Sequence, residues 1–82
     1  MVIVINTREH YLRLRAKPEF YTSSLWVSHD ILAESEVIDA RQAGVDLTLI
    51  LKSVKFTEDA AVNLLLADIR VLHPDQPITL LT

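Results

Sequence analysis

The C-terminal half of the chain constrains the fold most, because it predicts a strand, a helix and a second strand in succession. Every second residue of Val45–Leu51 is apolar, and Ile50 makes the other face partly apolar too, which is the pattern of a strand covered on both sides. Thr57 is a good N-cap for the helix that follows, and a proline ends that helix near Leu72. Ile78–Leu81 then predicts a short strand. A helix of about four turns between two strands indicates a right-handed βαβ crossover with parallel strands.

The predicted helix after Thr57 has an unusually wide apolar surface. Its expected core-facing stripe follows the spacing i, i+3, i+4 and comprises Ala61, Val62, Leu65, Leu66, Ile69 and Leu72. Leu64 and Val71 widen the apolar surface beyond that stripe. A helix that is apolar around most of its circumference is usually covered on more than one side.

The N-terminal half begins with Val2–Ile5, an unbroken β-branched run that predicts a central strand buried on both faces. Asn6 or Thr7 could cap a following helix whose buried side would be formed by Tyr11, Leu12 and Leu14. A half-buried strand is the alternative, because apolar and basic residues alternate from Leu12 to Lys17.

The middle of the chain predicts a loop, a short strand and a helix. Proline and serine frame a loop over Pro18–Ser24, and Leu25–Val27 is a strand candidate. Ser28 or Asp30 could cap a helix over residues 31–43. Gly44 lies at the C′ position, where a left-handed residue commonly ends a helix.

These elements predict a single α/β domain over residues 1–82. The order βαβαβαβ favours a three-layer sandwich around a short, mostly parallel sheet of flavodoxin-like or receiver-like order. Val2–Ile5 is expected inside the sheet, and Ile78–Leu81 is expected at an edge.

Three segments resemble part of a response-regulator receiver domain. Val45–Leu51, Leu65–Arg70 and His73–Thr82 are similar to that family's third strand, third helix and fourth strand. The resemblance covers about half the chain and consists mainly of hydrophobic pattern. It implies a receiver-like fold that is truncated, because the family continues through a fifth strand and helix.

The resemblance also implies that the phosphorylation chemistry of the family is missing. The acidic pair that holds Mg²⁺ in that family falls at about Asn6 and Thr7, and the phosphoacceptor falls at Leu51 or Lys52. Only Thr82 matches the family's hydroxyl residue. Fold carries over from such a resemblance, whereas activity does not.

Composition narrows the classes of function. The net charge of −3 gives no general attraction to nucleic acid, and the absence of cysteine excludes thiolate metal sites and disulfides. The apolar first five residues are too short for a signal sequence or a membrane span. We therefore expect a cytoplasmic protein with no membrane association, cofactor or metal.

No group of residues predicts catalysis. Ser28, His29 and Asp30 are adjacent, and neighbours on a strand point to opposite faces, so they cannot form a triad. We therefore predict that the protein is not an enzyme. The alternative is a small-molecule-binding or catalytic site at the carboxyl ends of the strands, formed by Asn6, Thr7, Ser28, Lys52 and Ser53.

The favoured function is a protein–protein interaction or regulatory module, with another protein or a second copy as partner. We expect a homodimer formed through the last strand or the last helix, because an apolar edge strand invites pairing. Nucleic-acid binding through the basic stretch of residues 8–17 is a weaker alternative. The candidate interaction residues are Arg13, Arg15, Trp26, Leu64, Val71, Ile78 and Leu80.

Overall fold

The computed structural model describes residues 1–52 and 55–81 and contains a regular alternation of strands and helices. The elements are β1 (Val2–Ile5), α1 (Arg8–Arg15), α2 (Glu19–Thr22), β2 (Ser24–Ser28), a 3₁₀ turn (His29–Ile31), α3 (Glu34–Gln42), β3 (Asp46–Ile50), α4 (Asp59–Leu72) and β4 (Ile78–Leu81).

The four strands form one all-parallel sheet in the order β3-β2-β1-β4. β1 lies inside the sheet and β4 lies at an edge, as predicted. The predicted fold class is confirmed: a three-layer α/β sandwich around a parallel sheet, in which strands and helices alternate as they do in flavodoxin-like folds. β3 and β4 lie at opposite edges of the sheet, so the segment that contains α4 crosses the sheet from one edge to the other. The order 3-2-1-4 is also that of the first four strands of dinucleotide-binding sheets.

Each face of the sheet has its own hydrophobic core, which makes the three layers. The first core contains Ile3, Ile5, Leu25 and Val27 beneath α1, α2 and α3. On the opposite face, the side chains of β1, β2 and β3 pack against Leu65 and Ile69 of α4. Of the helices that the structure describes, α4 alone covers the second face, whereas three cover the first.

The segment after β1 is a helix, which excludes the strand alternative. The hydroxyl of Thr7 accepts a hydrogen bond from the backbone N–H of His10 and caps α1. Tyr11 and Leu14 are buried, as predicted. The prediction for Leu12 is wrong, because its side chain is 46% exposed on the outer side of α1.

The prediction that Pro18–Ser24 is a loop is also wrong. The four-residue helix α2 forms inside it, and its Phe20 is buried. The rings of Phe20 and Tyr11 meet edge to face with centroids 5.6 Å apart, a favoured geometry for aromatic pairs. Burial of one aromatic side chain explains why a polar segment folds into a turn of helix.

α3 begins later than predicted and uses a different cap. Ser28 and Asp30 do not cap it, because they belong to the end of β2 and to the 3₁₀ turn. Instead, the backbone N–H of Ala33 donates to a carboxylate oxygen of Glu36 over 3.0 Å. A glutamate at this position reaching back to the N-cap backbone is half of a capping box.

The other end of α3 follows the sequence prediction. Gly44 has φ = +88°, which lies in the region that favours glycine. The N–H groups of Gly44 and Val45 donate to the carbonyls of Arg41 and Ala40 over 3.1 and 3.0 Å. These two bonds form a Schellman motif.

The predicted C-terminal elements are present with shifted bounds. α4 ends at Leu72, as predicted, but starts at Asp59, so Thr57 is not its N-cap. Leu72 is exposed rather than part of the core stripe. β3 ends at Ile50, and Leu51, predicted on the buried face, is 75% exposed.

Candidate functional site

The outward surface of α4 is the most prominent apolar surface in the part of the chain that the structure describes. Val62, Leu65 and Ile69 are buried against the sheet. Leu64 and Val71 are 70% and 79% exposed. Two smaller residues, Ala60 and Ala67, are exposed with them. We call these four residues the outer seam of α4.

The outer seam and the buried stripe lie on nearly opposite sides of the helix. At about 100° per residue, their mean directions differ by roughly 160°. The seam therefore faces away from the sheet, and no packing within residues 1–52 and 55–81 requires it to be apolar. A helix exposed to water on one side normally carries polar residues there.

A groove of about 280 Å³ runs beside the seam, between α4 and β3. Leu64 and Asp68 contribute to one wall, and Leu51 and Lys52 contribute to the other. Trp26 also lines the groove, but it is only 8% exposed. The large side chain of Trp26, which the sequence offered as a candidate interaction residue, is therefore mainly part of the core. Among the described residues, none accepts a hydrogen bond from its buried indole N–H.

β4 forms a second apolar feature at the opposite edge of the sheet. Ile78, Leu80 and Leu81 are half-buried, and Thr79 is exposed. β4 pairs with β1 on one side, so alternate backbone groups along its other side are available to another strand. The free edge is short, at four residues, and short edge strands are a common protection against unwanted pairing.

The structure divides the basic stretch of residues 8–17 between two sides of α1. Arg15 lies toward α3, where it lines a small cavity of about 110 Å³ together with Glu36 and Asp39. Arg13 and Lys17 lie on the side toward β4. Arg13 also forms an ion pair with Glu9. The cations therefore do not form one continuous basic surface of the kind that contacts a phosphate backbone.

Arg8 of α1 binds to α3 and to the turn that precedes it. Its guanidinium forms an ion pair with Glu36 and also donates to the carbonyl of Ile31 over 3.0 Å. The hydrogen bond from Arg8, followed by that from the Ala33 N–H, lowers the pKa of Glu36 from 4.5 to about 2. Burial beside this pair raises the pKa of Tyr11. These groups tie α1 to α3.

A second groove, of about 320 Å³, lies between α1 and β4. Its apolar lining is formed by Ile3, Leu14 and Leu81. Its polar rim consists of His10, Arg13, Lys17 and Glu19.

The carboxyl edge of the sheet holds most of the residues predicted for a ligand site. Asn6 is half-buried, Lys52 is exposed and Ser28 is buried. Thr7 is occupied in capping α1. Ser53 lies outside the described residues. Asn6 and Thr7 follow β1, Ser28 ends β2 and Lys52 comes after β3. No acid–base pair is formed among the predicted residues that the structure describes.

His29 is a feature of this edge that the sequence pattern did not single out for binding. Its Nδ1 lies 2.9 Å from the carbonyl oxygen of Ile50. A carbonyl oxygen can only accept, so this bond places an N–H donor at Nδ1. Only the pairing of β2 with β3 places these two residues together, so a local sequence signal could not have identified the contact.

Neither a metal site nor a membrane-spanning helix is present within residues 1–52 and 55–81. No three histidine, aspartate or glutamate side chains there are grouped to hold an ion. No described helix combines the length and apolar character needed to cross a bilayer.

Comparison with known proteins gives no family for this chain. No protein-family model, curated protein or solved structure matches it. The structure supports one part of the resemblance to a receiver domain, namely the parallel four-stranded α/β fold. Leu51, one of the two positions that correspond to the phosphoacceptor, carries an exposed aliphatic side chain. Thr82, the position with a matching hydroxyl, lies outside the described residues.

Proposed function

We propose that this domain is a non-catalytic interaction module that binds a partner protein through the outer seam of α4. The carrying observation is that α4 is apolar on two opposite sides, only one of which packs against its own sheet. Amphipathic helices and helix-binding grooves recognise each other through apolar residues at i, i+3, i+4 and i+7. The seam offers such spacing on an accessible surface.

The groove between α4 and β3 supports the same proposal. It continues the apolar surface from Leu64 to Leu51, whose side chains are both largely exposed. Lys52 and Asp68 at its rim provide one charge of each sign. Protein interfaces combine an apolar centre with a polar rim in this way.

The regulatory role proposed for this fold does not require phosphorylation. Asn6 and Thr7 supply no carboxylate for Mg²⁺, and Leu51 and Lys52 supply no phosphoacceptor. The receiver order 2-1-3-4-5 also places the third strand beside the first, whereas β4 occupies that position here. What supports an interaction role is the exposed outer seam of α4.

Affinity capture from native lysate, read by mass spectrometry, tests this function. The wild-type chain, Leu64→Lys and Gln42→Lys would serve as parallel baits. Gln42 is an exposed residue of α3, so its variant adds the same charge away from the seam. We expect wild type and Gln42→Lys to retain at least one protein that Leu64→Lys does not retain. An untagged copy of this chain counts as such a protein. Identical sets of captured proteins for all three baits would contradict the proposal.

Binding of a small anionic molecule in the groove between α1 and β4 is a second candidate function. The observation that favours it is the placement of Lys17 and of Arg13, which also pairs with Glu9, above an apolar lining. The volume of about 320 Å³ lies at the lower end of the range for ligand sites. An aliphatic carboxylate would match both features.

Octanoate is a suitable probe for this second candidate. Titration followed by NMR should shift the amide resonances of α1 and β4 in a saturable manner, and Lys17→Ala should weaken that binding several-fold. Shifts that do not saturate, or that are equal in Lys17→Ala, would rule out the site.

A further inference from the structure

We propose that the outer seam of α4 pairs with the same seam of a second copy of this chain, with the two helices antiparallel about a two-fold axis. The inference rests on the proposed function and names the partner. The four seam residues are separated by four, three and four positions. This alternation of four and three is the spacing of the contact residues in paired helices, where each side chain fits between residues of the facing helix.

The order of side-chain sizes indicates the direction of pairing. Along the seam, small and large residues alternate: Ala60, Leu64, Ala67, Val71. In an antiparallel pair, Leu64 faces Ala67 of the second copy, and Val71 faces its Ala60. Each large side chain then meets a small one, which fills the layers evenly. A parallel pair would instead place leucine on leucine and leave a gap between the alanines.

The charges beside the seam are compatible with this arrangement. Residues that flank the seam on one side of a helix face the corresponding side of its antiparallel neighbour. Arg70 is then placed beside Asn63 of the second copy, and Asp68 is placed beside its Ala61. Neither pair brings like charges together, so neither pair opposes the contact.

A two-fold axis explains why one chain can provide both halves of the interface. In a symmetric dimer the same surface patch serves both copies, and no second binding surface is needed. The same axis keeps the pair closed, whereas contact between two different surfaces would propagate into a filament.

The length of the seam indicates a weak dimer. Ala60 to Val71 spans eleven residue steps, or about 16 Å at 1.5 Å per residue. Such a contact lies at the low end of protein interfaces, among transient complexes. We therefore expect a Kd on the order of 0.1 mM, so that the dimer forms where the protein is concentrated or held in place by other contacts.

Sedimentation equilibrium from about 10 µM to 1 mM protein tests the dimer, over a range chosen to bracket the expected Kd. The apparent mass of wild type should rise from that of the monomer toward twice that value. Leu64→Lys and Val71→Lys should each remain monomeric, and Gln42→Lys should behave as wild type. Circular dichroism would establish that each variant is folded. A monomeric wild type throughout, or dimers that persist in both folded seam variants, would overturn the proposal.

Disulfide trapping tests the direction in which the two helices pair. The sequence contains no cysteine, so introduced cysteines would be the only ones that can react. Ala60→Cys and Val71→Cys chains would be mixed and oxidised, and the products would be weighed. Antiparallel pairing should yield the mixed disulfide well above its statistical share, because only that pairing brings residues 60 and 71 within disulfide distance. Predominance of the two symmetric disulfides would indicate parallel pairing and contradict the proposal.

The two tests separate this inference from the proposed function. A monomeric chain whose capture of a different protein depends on Leu64 would refute self-pairing and leave the interaction module in place. A chain that neither self-associates nor captures any protein in a Leu64-dependent way would refute both self-pairing and the interaction module.

Discussion

Arg8 and Glu36 form a two-pronged ion pair between α1 and α3. Nη1 and Nη2 of Arg8 donate to Oε1 and Oε2 of Glu36 over 2.7 and 3.0 Å. Glu36 also accepts the backbone N–H of Ala33. One carboxylate therefore both caps α3 and joins it to the start of α1, twenty-eight residues earlier in the chain.

The first prediction concerns the pH dependence of this contact. The pKa of Glu36 is about 2 in the folded chain and 4.5 without these partners. Because the folded pKa is the lower one, the contribution of Glu36 to stability is present above about pH 4.5 and is lost as the pH falls toward about 2. Glu36→Gln removes that contribution at every pH.

Thermal melting between about pH 6 and pH 2.5 measures this effect, since the window covers the titration of the carboxylate. The Tm of wild type should fall more steeply with acid than that of Glu36→Gln, and the two curves should converge at the acid end. Glu34→Gln is the matched control, because Glu34 lies in the same helical turn and forms no ion pair among the described residues. Parallel curves for wild type and Glu36→Gln would show that the ion pair does not stabilise the fold.

The second prediction concerns the single glycine. Gly44→Ala should lower the free energy of unfolding by about 1 kcal/mol, because an L side chain is strained at φ = +88°. An added Cβ would meet nothing within 4 Å, so the whole cost arises in the backbone. Urea denaturation measures it. A synthetic chain with D-alanine at position 44 should be at least as stable as wild type, and an equal loss with both alanines would point to a steric cause instead.

The third prediction contrasts the two apolar sides of α4. Ile69 is fully buried, so Ile69→Ala should cost about 2–5 kcal/mol of unfolding free energy. Leu64 is 70% exposed, so Leu64→Ala should change it by less than about 0.5 kcal/mol. Both are measured by urea denaturation at low micromolar concentration, where self-association is negligible. Comparable losses would mean that Leu64 packs inside the domain.

The fourth prediction concerns phosphorylation. With Asn6 and Thr7 in place of an acidic pair, we expect no Mg²⁺-dependent labelling by acetyl phosphate and no binding of beryllofluoride. NMR titration with beryllofluoride measures this, with an active receiver domain in parallel as a positive control. Saturable, Mg²⁺-dependent shifts would contradict the prediction and reopen a phosphorylation-linked role.

The sequence by itself determined most of the elements, because their signals are local. The β-branched run Val2–Ile5 predicted an interior strand, Thr7 is the cap of α1, and Gly44 ends α3 in the conformation that only glycine adopts easily. Alternation of these elements was sufficient for the α/β class. Leu64 and Val71 were also recognisable as surplus apolar residues, since one helix can bury only one stripe.

Only the tertiary structure decided which elements are neighbours. Strand order depends on pairing between distant segments, and the period of a strand carries no information about its partner. That β4 lies beside β1 and not beside β3 is therefore known only from the structure. The same limit applies to Glu36, whose ion pair joins α3 to Arg8 of α1, and to Leu51, which is exposed because β3 ends one residue earlier. The division of the basic stretch between two sides of α1 also required the packed helix, because neighbours of α1 on both sides come from remote parts of the chain.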